Sequence, residues 1–214
     1  MPVHDWSKVP EAAFHNFQFI WLATIIDRLN GGGVLPNGPF AMAEQRGSEQ
    51  TADSVQTERI WYAQKANRIA IHHGRDKLVA VIQVVSPGIK DKKRILRDFI
   101  LGSVALVRGE IHLIAIDPFP PGRFDQHGIG QAIWQNLSGC TIIELEAKPL
   151  MVVSYEAGET PNAYIQPFAV GEQLPEMPLF IADASHAMVP LEETYEETWK
   201  VLPVELRELF SPTP

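Results

Sequence analysis

The fold of this chain is decided by residues 79–117, which read VAVIQVVSPGIKDKKRILRDFILGSVALVRGEIHLIAID. An apolar strand interrupted only by Gln83 is followed by a Ser86-Pro87-Gly88 break, a basic amphipathic helix and a second apolar strand that ends in Asp117-Pro118. This order predicts a βαβ unit, whose right-handed crossover makes the two strands parallel. Because the carboxyl ends of parallel strands meet at one edge of a sheet, we expect Ser86 and Asp117 to lie where open sheets bind ligands.

The first of these strands, predicted over residues 78–86, is apolar at nearly every position. Both of its faces must therefore be covered, which places it at the centre of a sheet with helices on each side. Further strands are predicted at residues 39–45, 59–64, 68–73, 111–116, 149–155 and 164–168, and helices at residues 10–29, 90–107, 128–137 and 191–200. We therefore predict one α/β domain over residues 1–214, with a mixed central sheet flanked by helices. Its core spans about residues 39–137, and the N-terminal helix and the C-terminal segment pack on that core.

The composition is that of a globular protein, with 45% hydrophobic and 21% charged residues in a chain of 214. No apolar run approaches the length of about 20 residues that a membrane-spanning helix needs, and the first residues lack the basic and apolar regions of a secretory signal. A single cysteine, Cys140, excludes an internal disulfide and a zinc site built from several cysteines. We therefore expect a cytoplasmic protein with no membrane association, in which Cys140 is a small buried apolar residue.

The net charge of −8 disfavours binding to nucleic acid unless basic residues concentrate on one face. The start of the helix predicted at residues 90–107 supplies such a concentration, with Lys92, Lys93, Arg94 and Arg97. A charged helix face of this kind either contacts phosphates or is simply solvated. Nucleic acid is therefore one candidate partner, and a homo-oligomer is also compatible with the sequence.

Short motifs spread along the chain carry a resemblance to a known family. They are His4-Asp5-Trp6, Phe14-His15, Trp21, Ala43-Glu44-Gln45, Val85-Ser86-Pro87-Gly88 with Lys90, Ile116-Asp117, Leu191, Thr194-Tyr195 and Trp199. On these motifs the chain resembles, over nearly its whole length, an uncharacterised bacterial family known as domain of unknown function 4058. That family has no established activity, so this resemblance implies no particular reaction.

The order of strand, Ser-Pro break, helix and strand ending in Asp also resembles the core of the restriction-endonuclease-like PD-(D/E)XK superfamily. In that superfamily an Asp near the start of one strand and a Glu or Gln on the next hold a divalent metal, and a Lys two residues later supports the nucleophile or the transition state. Carried onto this chain, the resemblance implies Asp53 as the first Mg²⁺ ligand and Gln83 as the second. Val85 occupies the lysine position, so Lys90 is the nearest lysine that would act in its place.

Each candidate residue also has a structural interpretation. A buried Gln83 is either a ligand for a metal or substrate, or a core amide that bonds to backbone or buried water. Asp53 is either a metal ligand or a residue that forms a turn or caps a helix. Asp117, which ends a strand and precedes a proline, is either part of a site or a turn residue.

Two functional hypotheses follow. The first is a metal-dependent phosphodiesterase or nuclease with Asp53, Gln83 and Lys90 as catalytic residues, or a degenerate relative of such an enzyme. The second is a non-catalytic binding or assembly module, which keeps the fold and uses its aromatic-rich N-terminal helix or its tail to contact a partner. Convergence of Asp53, Gln83 and a lysine nitrogen in one cleft would favour the first hypothesis.

Overall fold

A computed structural model describes residues 2–44, 68–75, 77–141, 148–182 and 185–210 of the chain. Its main element is a six-stranded sheet with the order β1-β2-β3-β4-β5-β6. These strands are β1 (Pro39–Glu44), β2 (Arg68–His73), β3 (Lys77–Val84), β4 (His112–Asp117), β5 (Leu150–Glu156) and β6 (Asn162–Phe168). A separate antiparallel hairpin consists of β7 (Met177–Ala182) and β8 (Ser185–Val189).

The helices flank the sheet and follow the predicted order. They are α1 (Glu11–Gly31), α2 (Pro87–Lys90), α3 (Lys93–Arg108), α4 (Ile129–Ser138), α5 (Leu191–Val201) and α6 (Val204–Glu208), preceded by a 3-10 turn at Trp6–Lys8. The helix predicted at residues 90–107 is replaced by α2 and α3, because Lys92 between them has an extended backbone with φ −127° and ψ 124°. Pro87 starts α2, where the missing proline N–H costs no helical hydrogen bond. None of the helices in the described ranges is long and apolar enough to cross a bilayer.

The predicted βαβ unit is confirmed. Strands β3 and β4 are parallel, with Val81 opposite Leu113 and Gln83 opposite Ala115. The other neighbouring strands of the sheet are antiparallel, so the sheet is mixed. The carboxyl ends of β1, β3 and β4 and the start of β2 therefore lie along the same edge of the sheet.

Each face of the sheet carries its own hydrophobic core. On one face, α1, α5 and the β7–β8 hairpin pack over Ile82 and Val84. On the other face, α3 and α4 pack over Val81 and Val85. Successive residues of β3 point to opposite faces, and all four of these side chains are fully buried. The central position predicted for this strand is confirmed.

The two ends of the described chain meet on the α1 side of the sheet. Trp21 Nε1 in α1 donates to Thr194 Oγ1 in α5 over 3.1 Å. Trp6 Nε1 donates to Tyr195 Oη over 3.1 Å, and the Val3 N–H donates to the Glu172 carbonyl over 2.8 Å. These long-range hydrogen bonds hold the N-terminal residues and α5 against one core.

Candidate functional site

A row of polar side chains crosses β1, β2 and β3 at the end of the sheet where β1 and β3 finish and β2 begins. The register places Glu44 of β1 opposite Arg68 of β2, and Arg68 opposite Gln83 of β3. Residues directly opposite each other in antiparallel strands project to the same face. Since Gln83 contacts Ser103 of α3, all three side chains lie on the face covered by that helix.

Gln83 is 9% exposed and its amide contacts α3. Its Oε1 lies 3.0 Å from Ser103 Oγ, which also lies 2.9 Å from the Phe99 carbonyl oxygen. The serine hydroxyl has a single proton, so it can donate to only one of these two acceptors at a time. Ser103 therefore partly satisfies Gln83, as expected for a core amide, and leaves hydrogen-bonding capacity on the amide.

Arg68 and Glu44 form an ion pair next to Gln83. Arg68 Nη2 lies 2.7 Å from Glu44 Oε2, and the two side chains are 17% and 35% exposed. The two atoms are close but not aligned as a hydrogen bond, and Arg68 Nε is buried without a hydrogen-bond partner among the described residues. The Arg68–Glu44 ion pair therefore lies on the two strands before Gln83, on the same face of the sheet.

A pocket of about 210 Å³ opens between this polar row and α3. It is lined by Arg68, Gln83, Phe99, Gly102, Ala105, Leu106 and Ile111. Arg68 of β2 and Gln83 of β3 form its polar side. Residues of α3, together with Ile111 just before β4, form its apolar side. Sequence reasoning singled out Gln83 and missed Arg68, because the register that joins them is set by the β2–β3 pairing.

The structure describes two of the other implied catalytic positions, Val85 and Lys90, and neither places a lysine nitrogen at Gln83. Asp53 lies outside the described residues. Val85, in the lysine position, is fully buried in the core under α3, and its N–H donates to the Ile116 carbonyl over 2.8 Å. An apolar side chain therefore fills the place where the superfamily pattern has its lysine.

Lys90 is held at a second polar cluster, at the end of β4. Its Nζ lies 2.8 Å from Asp117 Oδ2 and 3.0 Å from Asp125 Oδ2. The same nitrogen donates to the carbonyl oxygens of Phe119 and Pro120, each over 3.0 Å. Four oxygens thus surround an ammonium group that has three protons, and no described contact joins Lys90 to Gln83.

The carboxylates of this Lys90 cluster are buried. Burial raises the pKa of Asp117 to about 6, although Lys90 and the Phe119 N–H oppose the rise and Asp125 adds to it. Asp117 Oδ1 accepts from the Phe119 N–H over 3.3 Å, and Asp125 Oδ1 accepts from the Gly122 N–H over 2.6 Å. Asp117 therefore combines the turn role considered from its sequence with an ion pair. Asp125 was missed, since an acidic residue in a loop carries no distinguishing signal.

The described donors around Gln83 do not fit Mg²⁺. This ion prefers carboxylate oxygens and water, whereas Gln83 offers one neutral amide oxygen, and the nearby carboxylate of Glu44 is already paired with Arg68. Within the described ranges, no group of three or more His, Cys, Asp or Glu residues could hold a metal ion. The described side chains around Gln83 therefore offer no set of metal ligands, and Asp53, the other implied ligand, lies outside the described residues.

The basic start of α3 lies exposed on the surface. Lys92, Lys93, Arg94 and Arg97 are all exposed, and none has an ion-pair partner among the residues that the structure describes. Asp91 and Asp98 are exposed in the same stretch, so the local excess is two positive charges. This segment follows Lys90 directly and precedes Phe99, which lines the pocket.

One further expectation is wrong. Cys140 is exposed rather than buried, because it follows Gly139 beyond the end of α4, where the chain leaves the core. Its N–H donates to Ser138 Oγ over 3.0 Å.

Comparison with protein-family models, curated proteins and solved structures found no match to this chain. The geometry of its own residues is therefore the basis on which a function can be assigned.

Proposed function

We propose that this chain binds nucleic acid without hydrolysing it, as a degenerate relative of the restriction-endonuclease-like proteins. The observation that carries the proposal is the exposed group of Lys92, Lys93, Arg94 and Arg97, which lack ion-pair partners among the described residues. Unpaired cations gain most from phosphate contacts, because binding releases the counterions condensed on the nucleic acid. The group lies at the start of α3, the helix that also forms the wall of the Gln83 pocket.

Three features support a loss of hydrolysis. Gln83 offers a metal one neutral amide oxygen, and the Glu44 carboxylate on the same face of the sheet is paired with Arg68. The lysine position holds the buried Val85, and the ammonium of Lys90 is held by Asp117 and Asp125. A lysine that is ion-paired with two carboxylates and donates to two carbonyls is not free to orient water or to stabilise a phosphate.

The alternative of an assembly module has less support. The aromatic residues of the N-terminal helix and of α5 that could contact a partner, such as Phe14, Phe17, Trp21 and Tyr195, are buried in the core. They hold α1 and α5 together. Phe19 is exposed on α1, and Val201, Val204 and Leu209 are exposed in the tail, but exposed apolar side chains of this number are ordinary on a protein surface.

The binding claim is tested by fluorescence anisotropy with single strands of DNA and RNA of about 12 nucleotides. If all four cations contact phosphates, a plot of log affinity against log salt should have a slope of roughly −3. The double variant Lys93→Glu/Arg94→Glu should weaken binding at least roughly tenfold and flatten this slope by about half. The matched control is Arg75→Glu/Lys77→Glu, which reverses two exposed cations at the far edge of the sheet.

The control should retain nearly the affinity of the wild-type protein. Equal losses in both double variants would indicate a general charge effect and contradict a site at α3. Absence of binding to either strand at low salt would overturn the proposal.

A further inference from the structure

The polar side of the pocket is locally neutral. Arg68 carries a positive charge, but the carboxylate of Glu44 lies 2.7 Å from its Nη2 atom, and Gln83 is uncharged. A phosphate or carboxylate placed here would gain little from the guanidinium and would be repelled by Glu44. A neutral ligand with a hydrogen-bonding edge is therefore the better match.

The pocket nevertheless offers unused hydrogen-bonding groups. Arg68 lines the pocket, and its guanidinium carries N–H donors besides the Nη2 atom that faces Glu44, although its Nε atom is itself buried. The Gln83 amide can turn either its oxygen or its nitrogen away from Ser103, because a serine hydroxyl both donates and accepts. A ligand edge with an acceptor for Arg68 and either a donor or an acceptor for Gln83 would satisfy both residues.

The opposite side of the pocket suits a flat apolar face. Phe99, Leu106 and Ile111 supply apolar surface, and the small residues Gly102 and Ala105 leave space between them. The volume of about 210 Å³ lies below the about 300–1,000 Å³ of pockets for drug-sized ligands. A single planar ring system fits this size and these walls better than a larger molecule.

We propose that this pocket binds one unstacked nucleobase. The inference deepens the proposed function and rests on it, since the bases would belong to the strand whose phosphates contact the start of α3. Because an α-helix rises about 1.5 Å per residue, Phe99 in the pocket wall lies about 7.5 Å along the helix axis from Arg94 at the basic start of α3. Proteins commonly read single strands by pairing backbone contacts with bases held against apolar or aromatic side chains.

The test uses anisotropy titration to compare the affinities of two nucleic-acid strands of equal length. One strand carries bases, and the sugars of the other carry none. Contact with one base is expected to make the base-containing strand bind the wild-type protein roughly tenfold or more tightly. Ala105→Phe blocks the pocket from an exposed position, and Gln83→Leu removes the polar edge while nearly keeping the side-chain volume. Both variants should bring the ratio of the two affinities to about twofold or less and leave binding of the base-free strand unchanged.

The matched control is Leu101→Phe, which adds a ring at an exposed position of the same helix away from the pocket. It should keep the wild-type ratio. A ratio near one in the wild-type protein, or a ratio that survives in both pocket variants, would overturn the inference while leaving nucleic-acid binding intact. If neither strand binds, the proposed function fails. Titration with free nucleosides then shows by itself whether the pocket binds a base.

A second arm distinguishes a base in a strand from a free base. Adenosine, guanosine, cytidine and uridine are titrated separately into the wild-type protein and the Ala105→Phe variant by calorimetry. Binding to the wild-type protein that Ala105→Phe abolishes would support the pocket and identify free bases as ligands. Base-dependent binding of the strand without binding of nucleosides would support the pocket with the strand as source. The inference would be overturned if no nucleoside bound and if binding of the strand did not depend on its bases.

Discussion

The ammonium of Lys90 lies 2.8 Å from the buried carboxylate of Asp117, and this ion pair joins the start of the crossover helices to the end of β4. Asp125 completes the cluster at 3.0 Å from the same nitrogen. Lys90 was the residue that the superfamily resemblance implied as a substitute catalytic lysine. In the structure, Lys90 instead holds the loop at residues 118–125 against α2.

Replacing Lys90 should therefore destabilise the protein. Lys90→Met removes the cation and leaves two buried carboxylates without an ion-pair partner, which typically costs about 3–5 kcal/mol. The measurement is the free energy of unfolding in urea at pH 7. Lys92→Met, at an exposed position two residues away, should change it by less than about 0.5 kcal/mol. Equal, small effects of the two substitutions would show that Lys90 has no structural role.

The raised pKa of Asp117 predicts a pH dependence of stability. Burial raises this pKa to about 6, so the folded state holds the proton more tightly than the unfolded state, whose aspartate titrates near 3.8. The stabilising contribution of Asp117 to the free energy of unfolding is therefore fully present below about pH 4 and is lost as pH rises through about 6. The shift of roughly two pH units corresponds to about 3 kcal/mol.

Asp117→Asn isolates this contribution, since the other titrating groups cancel in the difference between the two proteins. Relative to the wild-type protein, the variant should become more stable as pH rises from about 4 to about 6. Urea unfolding of both proteins across this range measures the difference. A difference that does not vary with pH would contradict a raised pKa at Asp117.

The hydroxyl of Tyr195 should stabilise the contact between the two ends of the described chain. Its oxygen accepts from Trp6 Nε1 over 3.1 Å and lies 3.0 Å from His4 Nδ1. Tyr195→Phe leaves the buried indole N–H without this partner, which typically costs about 1–3 kcal/mol in unfolding free energy. Tyr164→Phe, at an exposed tyrosine of β6, is the control and should change little. Comparable effects at both positions would count against this interpretation.

The βαβ unit could be predicted because its evidence is local. An apolar strand, a Ser-Pro break and an amphipathic helix each have a short sequence pattern, and Val81 and Val85 lie in the core as their pattern requires. The short strand β8 has no comparable signal, since only two of its five residues are buried.

The site was less predictable because its contacts are long-range. The pairing of Arg68 with Gln83 depends on the register of β2 and β3, and a shift of one residue would turn each side chain to the other face. Asp125 reaches Lys90 only through the loop after β4. Asp53, which the resemblance implied as a metal ligand, lies outside the described residues, and its role stays a prediction.

The most direct test of binding without hydrolysis uses one labelled strand, incubated with the protein and Mg²⁺ or Mn²⁺ and split between a native and a denaturing gel. We expect a shifted complex on the native gel and a full-length strand on the denaturing gel, with the complex unaffected by EDTA. A metal-dependent cleavage product that disappears in Gln83→Leu would contradict this account and restore hydrolysis to the Gln83 site.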